Sequence, residues 1–242
     1  MISTPMNITT RFEQIPSDGH PMRCYIAQPE GSERRPGLLL FQEAFGVNAH
    51  IRDVAERLAR MGYVTIAPEL YHRTAEPGYE VPYTGFGEAA QHFHALSTAT
   101  LEADARAAFE YLVEQPTVDR SRIGAIGFCL GGRTAYLANA VLPLAAAVSY
   151  YGGGIAPGLL GRAKDQHGPL LLVWGGKDGH ITPELRHEIS AAMQAAGRPC
   201  VVADFSEAEH GFHCDARAAY HPVAARQAWA LTSAFLQDHL GA

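Results

Sequence analysis

An apolar run, Arg122 to Phe128, meets a helical pattern, Leu130 to Ala140, across Gly127-Phe128-Cys129-Leu130-Gly131-Gly132. No other stretch limits the fold as tightly. A strand turns into a helix within one residue only if the chain passes very close to itself, and glycines at 127 and 131 remove the Cβ atoms that would collide there. The residue at the bend is then held in strained geometry, exposed above the sheet. Here that residue is Cys129. The helix that starts at it directs amide N–H groups and the positive end of its dipole toward the sulfur, which favours thiolate over thiol. The amide of Leu130 is left free to hold an oxyanion. The competing reading is a glycine-rich turn that cradles a phosphate, with Cys129 a small buried hydrophobe. The stretch fits neither the GxGxxG nor the P-loop pattern, and no acidic ribose ligand is evident downstream.

The rest of the chain alternates between short apolar runs and helical stripes. Ile8–Phe12 and Met22–Ala27, separated by Ser17-Asp18-Gly19-His20-Pro21, read as a β-hairpin. Gly37–Phe41 is a continuous apolar run, expected of a strand buried on both faces. Asn48 suits an N-cap for a helix striped by Ile51, Val54, Ala55, Leu58 and Ala59 and closed by Gly62, and Tyr63–Ala67 is the next strand. Strand, helix, strand is the parallel crossover unit. Residues 71–94, rich in Gly, Pro and Tyr, form the longest segment without a clear period; such segments are functional covers or disordered. Helical spacing returns at Leu101, Ala105, Ala108 and Leu112. Leu144–Tyr150, Leu170–Trp174 and Val201–Phe205 read as further strands. Thr182-Pro183 opens a helix that Gly197 closes, and Ala224, Ala228, Leu231 and Phe235 stripe the last one.

The chain has 242 residues, 47% hydrophobic and 18% charged, enough for one large core. No repeat or linker divides it, so a single domain, 1–242, with 71–94 as a cover loop is expected. A net charge of −6 with scattered Lys and Arg excludes a nucleic-acid binder and a polybasic membrane patch. No stretch approaches the roughly 20 apolar residues of a membrane span. Met1–Gln14 lacks the apolar run of a signal peptide. Cys24, Cys129, Cys200 and Cys214 are far apart, so neither a disulfide scaffold nor a zinc knuckle is expected and a reducing cytoplasm is the natural compartment.

The 127–132 bend is similar to the G-x-S-x-G elbow of α/β-hydrolases with Cys in the place of Ser. In that fold an acid and then a His follow the nucleophile along the chain. Asp178 follows the strand Leu170–Trp174, and His210 follows Val201–Phe205, so both fall at the sheet edge where ligands bind in open α/β sheets. His210 would draw the thiol proton, and Asp178 would fix its tautomer. Taken singly, Asp178 reads equally as a turn residue and His210 is one of 12 histidines. A zinc cluster of His210, His213 and Cys214 is an alternative whose spacing lacks a further ligand pair. The joint placement of elbow, acid and His favours the triad.

Nearly the whole chain resembles the dienelactone hydrolases (carboxymethylenebutenolidases), through Phe41-Gln42-Glu43, His50-Ile51-Arg52-Asp53-Val54-Ala55, Ala67-Pro68-Glu69-Leu70-Tyr71, Gly127–Gly132, Gly175-Gly176-Lys177-Asp178 and His210-Gly211-Phe212. The resemblance implies an α/β-hydrolase fold, a mostly parallel sheet of about eight strands with helices on both faces. It puts the catalytic Cys, Asp and His on Cys129, Asp178 and His210, a site glutamate on Glu43, and the second oxyanion donor on the amide of Ala44 beside that of Leu130. A carboxylate such as Glu43, next to a thiol and an imidazole, can accept the thiol proton once burial raises its affinity for protons. The family's dienelactone-cleaving members hold a substrate carboxylate with two arginines, one in the cover and one four residues after the His. Here position 214 is Cys and Tyr79–His94 contains no Arg. Arg73, Arg133 and Arg217 are the candidates to compensate, with Tyr79 and Tyr83 as cover residues that line the site.

The expected activity is hydrolysis of a small activated ester or lactone through an acyl-thioester, with no metal or organic cofactor. A catalytically silent scaffold that binds a small ligand under the cover is the second reading. A thiol redox protein is the third, and it lacks a partner cysteine close in sequence.

Overall fold

In the computed structural model, which describes residues 6–242, the expected hairpin is present and longer than its apolar runs. Strands β1 (Ile8–Ser17) and β2 (His20–Pro29) pair antiparallel around Asp18-Gly19, both at positive φ, the geometry of a two-residue hairpin turn. Residues 1–5, part of the N-terminal segment read above for a leader, lie outside the described residues.

Six further strands complete one sheet: β3 (Arg35–Phe41), β4 (Val64–Pro68), β5 (Val118–Phe128), β6 (Ala146–Tyr150), β7 (Leu170–Gly175) and β8 (Cys200–Phe205). Their order is β1-β2-β4-β3-β5-β6-β7-β8. β2 pairs antiparallel with β4, and every pairing from β4 across to β8 is parallel. The interior strands β4, β6 and β7 are buried along their whole length, whereas β8, at the edge, exposes Val201 and Val202. This is the mostly parallel α/β architecture expected from the apolar runs.

Helices α1 (Ala49–Arg60) and α6 (Pro222–Leu240) pack on one face, and α3 (Thr98–Glu114) and α4 (Leu130–Val141) on the other. Helix α5 (Pro183–Ala195) lies against β8. The Asn48 side chain accepts from the amide of Ile51 and the Thr182 side chain from that of Leu185, so both expected N-caps form. Among the described residues no helix is long and apolar enough to cross a membrane.

The segment 71–94 departs from a plain loop, because helix α2 spans Phe86–Ala95. Its signal is weak for physical reasons. Gly85 offers no side chain to cap it, Gly87 lies in its first turn, and only Ala89 and His92 are buried. The preceding turns are tied down by Glu69, which accepts from Arg23 at 3.1 Å and from the amide of Gly78 at 2.8 Å.

Because β3, β5, β7 and β8 are parallel, the loops that follow them open on one edge of the sheet. Glu43, Cys129, Asp178 and His210 all sit on those loops.

Candidate active site

β5 ends at Phe128 and α4 begins at Leu130, so Cys129 alone makes the turn. Its φ of 56° and ψ of −114° lie where side chains other than glycine are strained. The bend is held by its own amide, which donates to the Tyr150 carbonyl at 3.0 Å, and by its carbonyl, which accepts from the Arg133 amide at 3.2 Å. A Cβ on Gly127 would run into the Gly131 carbonyl, and one on Gly131 into the carbonyl of Phe41 at the end of β3. These two glycines therefore bring elbow and neighbouring strand into backbone contact.

Asp178 is buried in the turn after β7. Its Oδ1 accepts from the amides of His180 at 2.8 Å and Ile181 at 3.1 Å, while Oδ2 meets His210 Nδ1 at 2.7 Å. Burial alone would raise this carboxyl, but the contacts with His210 and the two amides outweigh it and hold Asp178 below the usual carboxylate range. For His210, burial opposes the charged form, yet the hydrogen bond with Asp178 and the nearby charges of Cys129 and Asp178 push it up to about 10. The imidazole thus bridges sulfur and carboxylate, an arrangement able to take a proton from the sulfur and keep the resulting imidazolium oriented.

Glu43, just past β3, is fully buried. Its Oε1 accepts from Arg217 Nη1 at 2.7 Å, and its Oε2 has no partner. Burial raises the carboxyl, opposed by the charges of Arg217 and His210. The Arg217 guanidinium carbon lies 5.5 Å from the ring centre of Phe45 and 5.6 Å from that of Tyr83.

These groups face a cavity of about 630 Å³ whose lining includes Cys129, His210, Ala44, Leu130, Arg133 and Arg217, walled by Phe45, Tyr83, Phe86 and Phe93. Tyr83 is anchored there by Asn48, whose amide donates to its hydroxyl at 3.0 Å. Two residues taken from the sequence as substrate contacts are elsewhere. Arg73 donates to Asp104 at 2.9 Å in a cluster with Ser17 and His72, on a different cleft. Tyr79 donates to the Glu88 carbonyl at 3.1 Å and packs on His92 and Tyr71. Arg133 and Arg217 remain at the cavity, as does Tyr83.

Sequence reasoning passed over Tyr71, His180 and, Tyr83 apart, the aromatic wall. The buried Tyr71 hydroxyl donates to the Ala44 carbonyl at 3.0 Å and so braces the loop after β3. His180 lines the cavity and stacks edge-on against His210, ring centres 5.2 Å apart. Tyr71 stands in a segment already singled out for resemblance, and that was its one signal. Phe86 and Phe93 face the cavity only because α2 sets them about two turns apart on one side.

The sequence matches the Dienelactone hydrolase family over residues 22–240. A protein of Synechocystis sp. named "Putative carboxymethylenebutenolidase" is 35% identical across 97% of this chain and 99% of its own. A Bradyrhizobium protein named "Probable 2-oxo-3-(5-oxofuran-2-ylidene)propanoate lactonase" is 28% identical across 96% of each. Among solved structures, a dienelactone hydrolase-like promiscuous phosphotriesterase from metagenomic libraries superposes with a TM-score of 0.87 at 25% identity, covering 97% of this chain and 99% of that one. Match length, identity and superposition agree with the elbow and the chain order of acid and His: the chain belongs to the dienelactone hydrolase family, hydrolases of the ester and lactone type.

Proposed function

We propose that the protein hydrolyses a small activated ester or lactone bearing a carboxylate, with Cys129 as nucleophile, His210 as base and Asp178 as the group that orients the base. The observation that supports it most is the strained Cys129 at the mouth of α4, sharing a cavity with an imidazole that Asp178 holds at 2.7 Å. The Cys129 thiol has already passed its proton to His210, and the resulting thiolate attacks the carbonyl carbon. The amides of Leu130 and Ala44, both at the cavity, receive the oxyanion. Collapse expels the alcoholate or enolate, which takes the proton from His210, and leaves an acyl-thioester. His210 then deprotonates water for attack on that thioester, and collapse breaks the C–S bond, which releases the carboxylic acid product and returns the Cys129 thiolate beside protonated His210. A thiolate suits leaving groups that are stable anions, which is why enol-lactones and aryl esters are the natural class. Glu43, buried and with a free oxygen, is a second acceptor for the sulfur's proton. Residues 71–94 act as the cover, since Tyr83, Phe86 and Phe93 supply an apolar wall. Four free thiols suit a reducing compartment such as the cytoplasm.

Intact-mass analysis of the enzyme quenched during turnover of an aryl ester should show one acyl group, and peptide mapping should put it on Cys129. Turnover with the acyl group on another residue would sink this mechanism.

The carboxylate requirement rests on Arg133. Among the described residues no carboxylate lies within ion-pair distance of it, its Nε is buried without a partner, and it lines the cavity with Cys129. Burial lowers its affinity for the proton, opposed by the nearby sulfur and Tyr71. A guanidinium so placed lacks an anion that a substrate can supply. Arg217 is already engaged with Glu43, so Arg133 is the freer of the two. The propanoate in the name of the Bradyrhizobium relative fits the same chemistry. Arg133→Gln should raise KM for a carboxylate-bearing enol-lactone by roughly tenfold to a hundredfold, the worth of a charged hydrogen bond. KM for a neutral aryl ester should stay within a few-fold; an equal rise for both substrates refutes the anchor.

A further inference from the structure

A second opening lies among α1, α6 and the loop after β8. It is a cleft of about 300 Å³ lined by His50, Arg57, His213, Asp215, Tyr220 and Trp229 among others, and it shares no lining residue with the Cys129 cavity. Beside it, one imidazole nitrogen of His50, the sulfur of Cys214 and a carboxylate oxygen of Asp215 lie within 4.8 Å of one another. The zinc grouping weighed from the sequence, His210 with His213 and Cys214, is not the one the fold assembles.

Two features apart from this proximity point to a missing ligand. His50 is 8% exposed and its Nε2 has no hydrogen-bond partner; His213 is 5% exposed and its Nδ1 has none. Leaving a buried polar atom unpaired carries the full cost of its desolvation, so two such nitrogens on one cleft call for a partner. A neutral imidazole has the lone pair that coordination needs. The two ring centres are 5.6 Å apart.

We propose that His50, Cys214 and Asp215 form a binding site for a transition-metal dication of the zinc class, whose fourth position faces the cleft. Imidazole nitrogen, thiolate sulfur and carboxylate oxygen are the donors zinc accepts, whereas calcium and magnesium take oxygen alone. Tetrahedral bonds of about 2.0–2.3 Å put neighbouring donors roughly 3.3–3.8 Å apart, so donors that now lie within 4.8 Å of one another need to draw together by no more than about 1.5 Å. Binding releases the Cys214 proton to solvent, and thiolate and carboxylate then balance the charge of the ion. Water from the cleft, or His213, fills the fourth position. Two arginines, Arg57 and Arg226, line the cleft, and the charge of Arg57 is already engaged by Asp53 at 2.9 Å and by the Trp229 ring at 4.5 Å.

Cys129 and His210 are themselves metal-type donors, so the test uses the full chain carrying Cys129→Ala. Titrating that metal-free protein with Co²⁺ should produce a near-ultraviolet thiolate-to-cobalt charge-transfer band that saturates at one ion per chain and is bleached by Zn²⁺. Adding Cys214→Ser should abolish the band. Adding Asp215→Asn, at an exposed position that disturbs no packing, should weaken Co²⁺ binding by about tenfold or more. No band in the Cys129→Ala protein, or a band whose strength and affinity survive both second substitutions, overturns the proposal.

Discussion

Replacing Cys129 with alanine should lower kcat/KM on an aryl ester or enol-lactone by about 10⁴-fold or more, because loss of a nucleophile leaves only binding and oxyanion stabilisation. The fold should not suffer. Cys129 is half-buried at the cavity, and alanine keeps the backbone hydrogen bonds to Tyr150 and Arg133. Thermal unfolding of the variant should therefore stay near that of the parent, which separates lost chemistry from lost structure. A sharper version uses glycine. At φ 56° the cysteine backbone is strained, a cost of about 1–3 kcal/mol, and glycine relieves it. Cys129→Gly should thus unfold at higher temperature than the wild type while hydrolysing nothing. That combination, more stable and inert, is expected only where strain is retained for a function. If Cys129→Ala turns over within tenfold of the parent, the sulfur is not the attacking atom.

Why Cys129 was visible in the sequence, and Arg217 only as one candidate among three arginines, follows from the range of the forces involved. The elbow is local. Two glycines and the three residues between them fix a turn with no help from distant chain, so the pattern carries its own structure. Asp178 and His210 were legible for a related reason, since each follows a buried strand by a few residues and parallel strands deliver such loops to one edge. The Glu43–Arg217 pair is different. It joins residues 174 apart, and nothing near Arg217 in the chain distinguishes a guanidinium that enters a cavity from one that faces water. Arg73 shows the other side of that ambiguity, because its chain neighbours suited a cover and its actual partner, Asp104, lies on α3. Helix α2 was hidden because glycine at the cap and in the first turn weakens the pattern, while the aromatics that secure it face a cavity rather than a core. Likewise His50, Cys214 and Asp215 carry no motif spacing, and only the packing of α1 against the loop after β8 brings them together.

Gly131→Ala should destabilise the protein by about 3 kcal/mol or more, at the upper end of what overpacking costs. The added methyl would point into the carbonyls of Phe41 and Gln42, and both are backbone atoms with no rotamer by which to yield. Relief requires α4 to move away from the end of β3. That movement would separate Cys129, at the start of α4, from Ala44 and Glu43, which continue the chain from β3. Activity should therefore fall even in the fraction that remains folded, measured as turnover per folded molecule at low temperature. Gly87→Ala is the matched control. No atom lies within 4 Å of the methyl it would add, and its place inside α2 means alanine should stabilise by up to about 1 kcal/mol. Urea unfolding of the two variants beside the parent gives both differences on one scale. Should Gly131→Ala unfold at the same urea concentration as the parent and keep its activity, elbow and strand are not in backbone contact. The proposed pairing of the sulfur with the amide of Ala44 would then have to be abandoned.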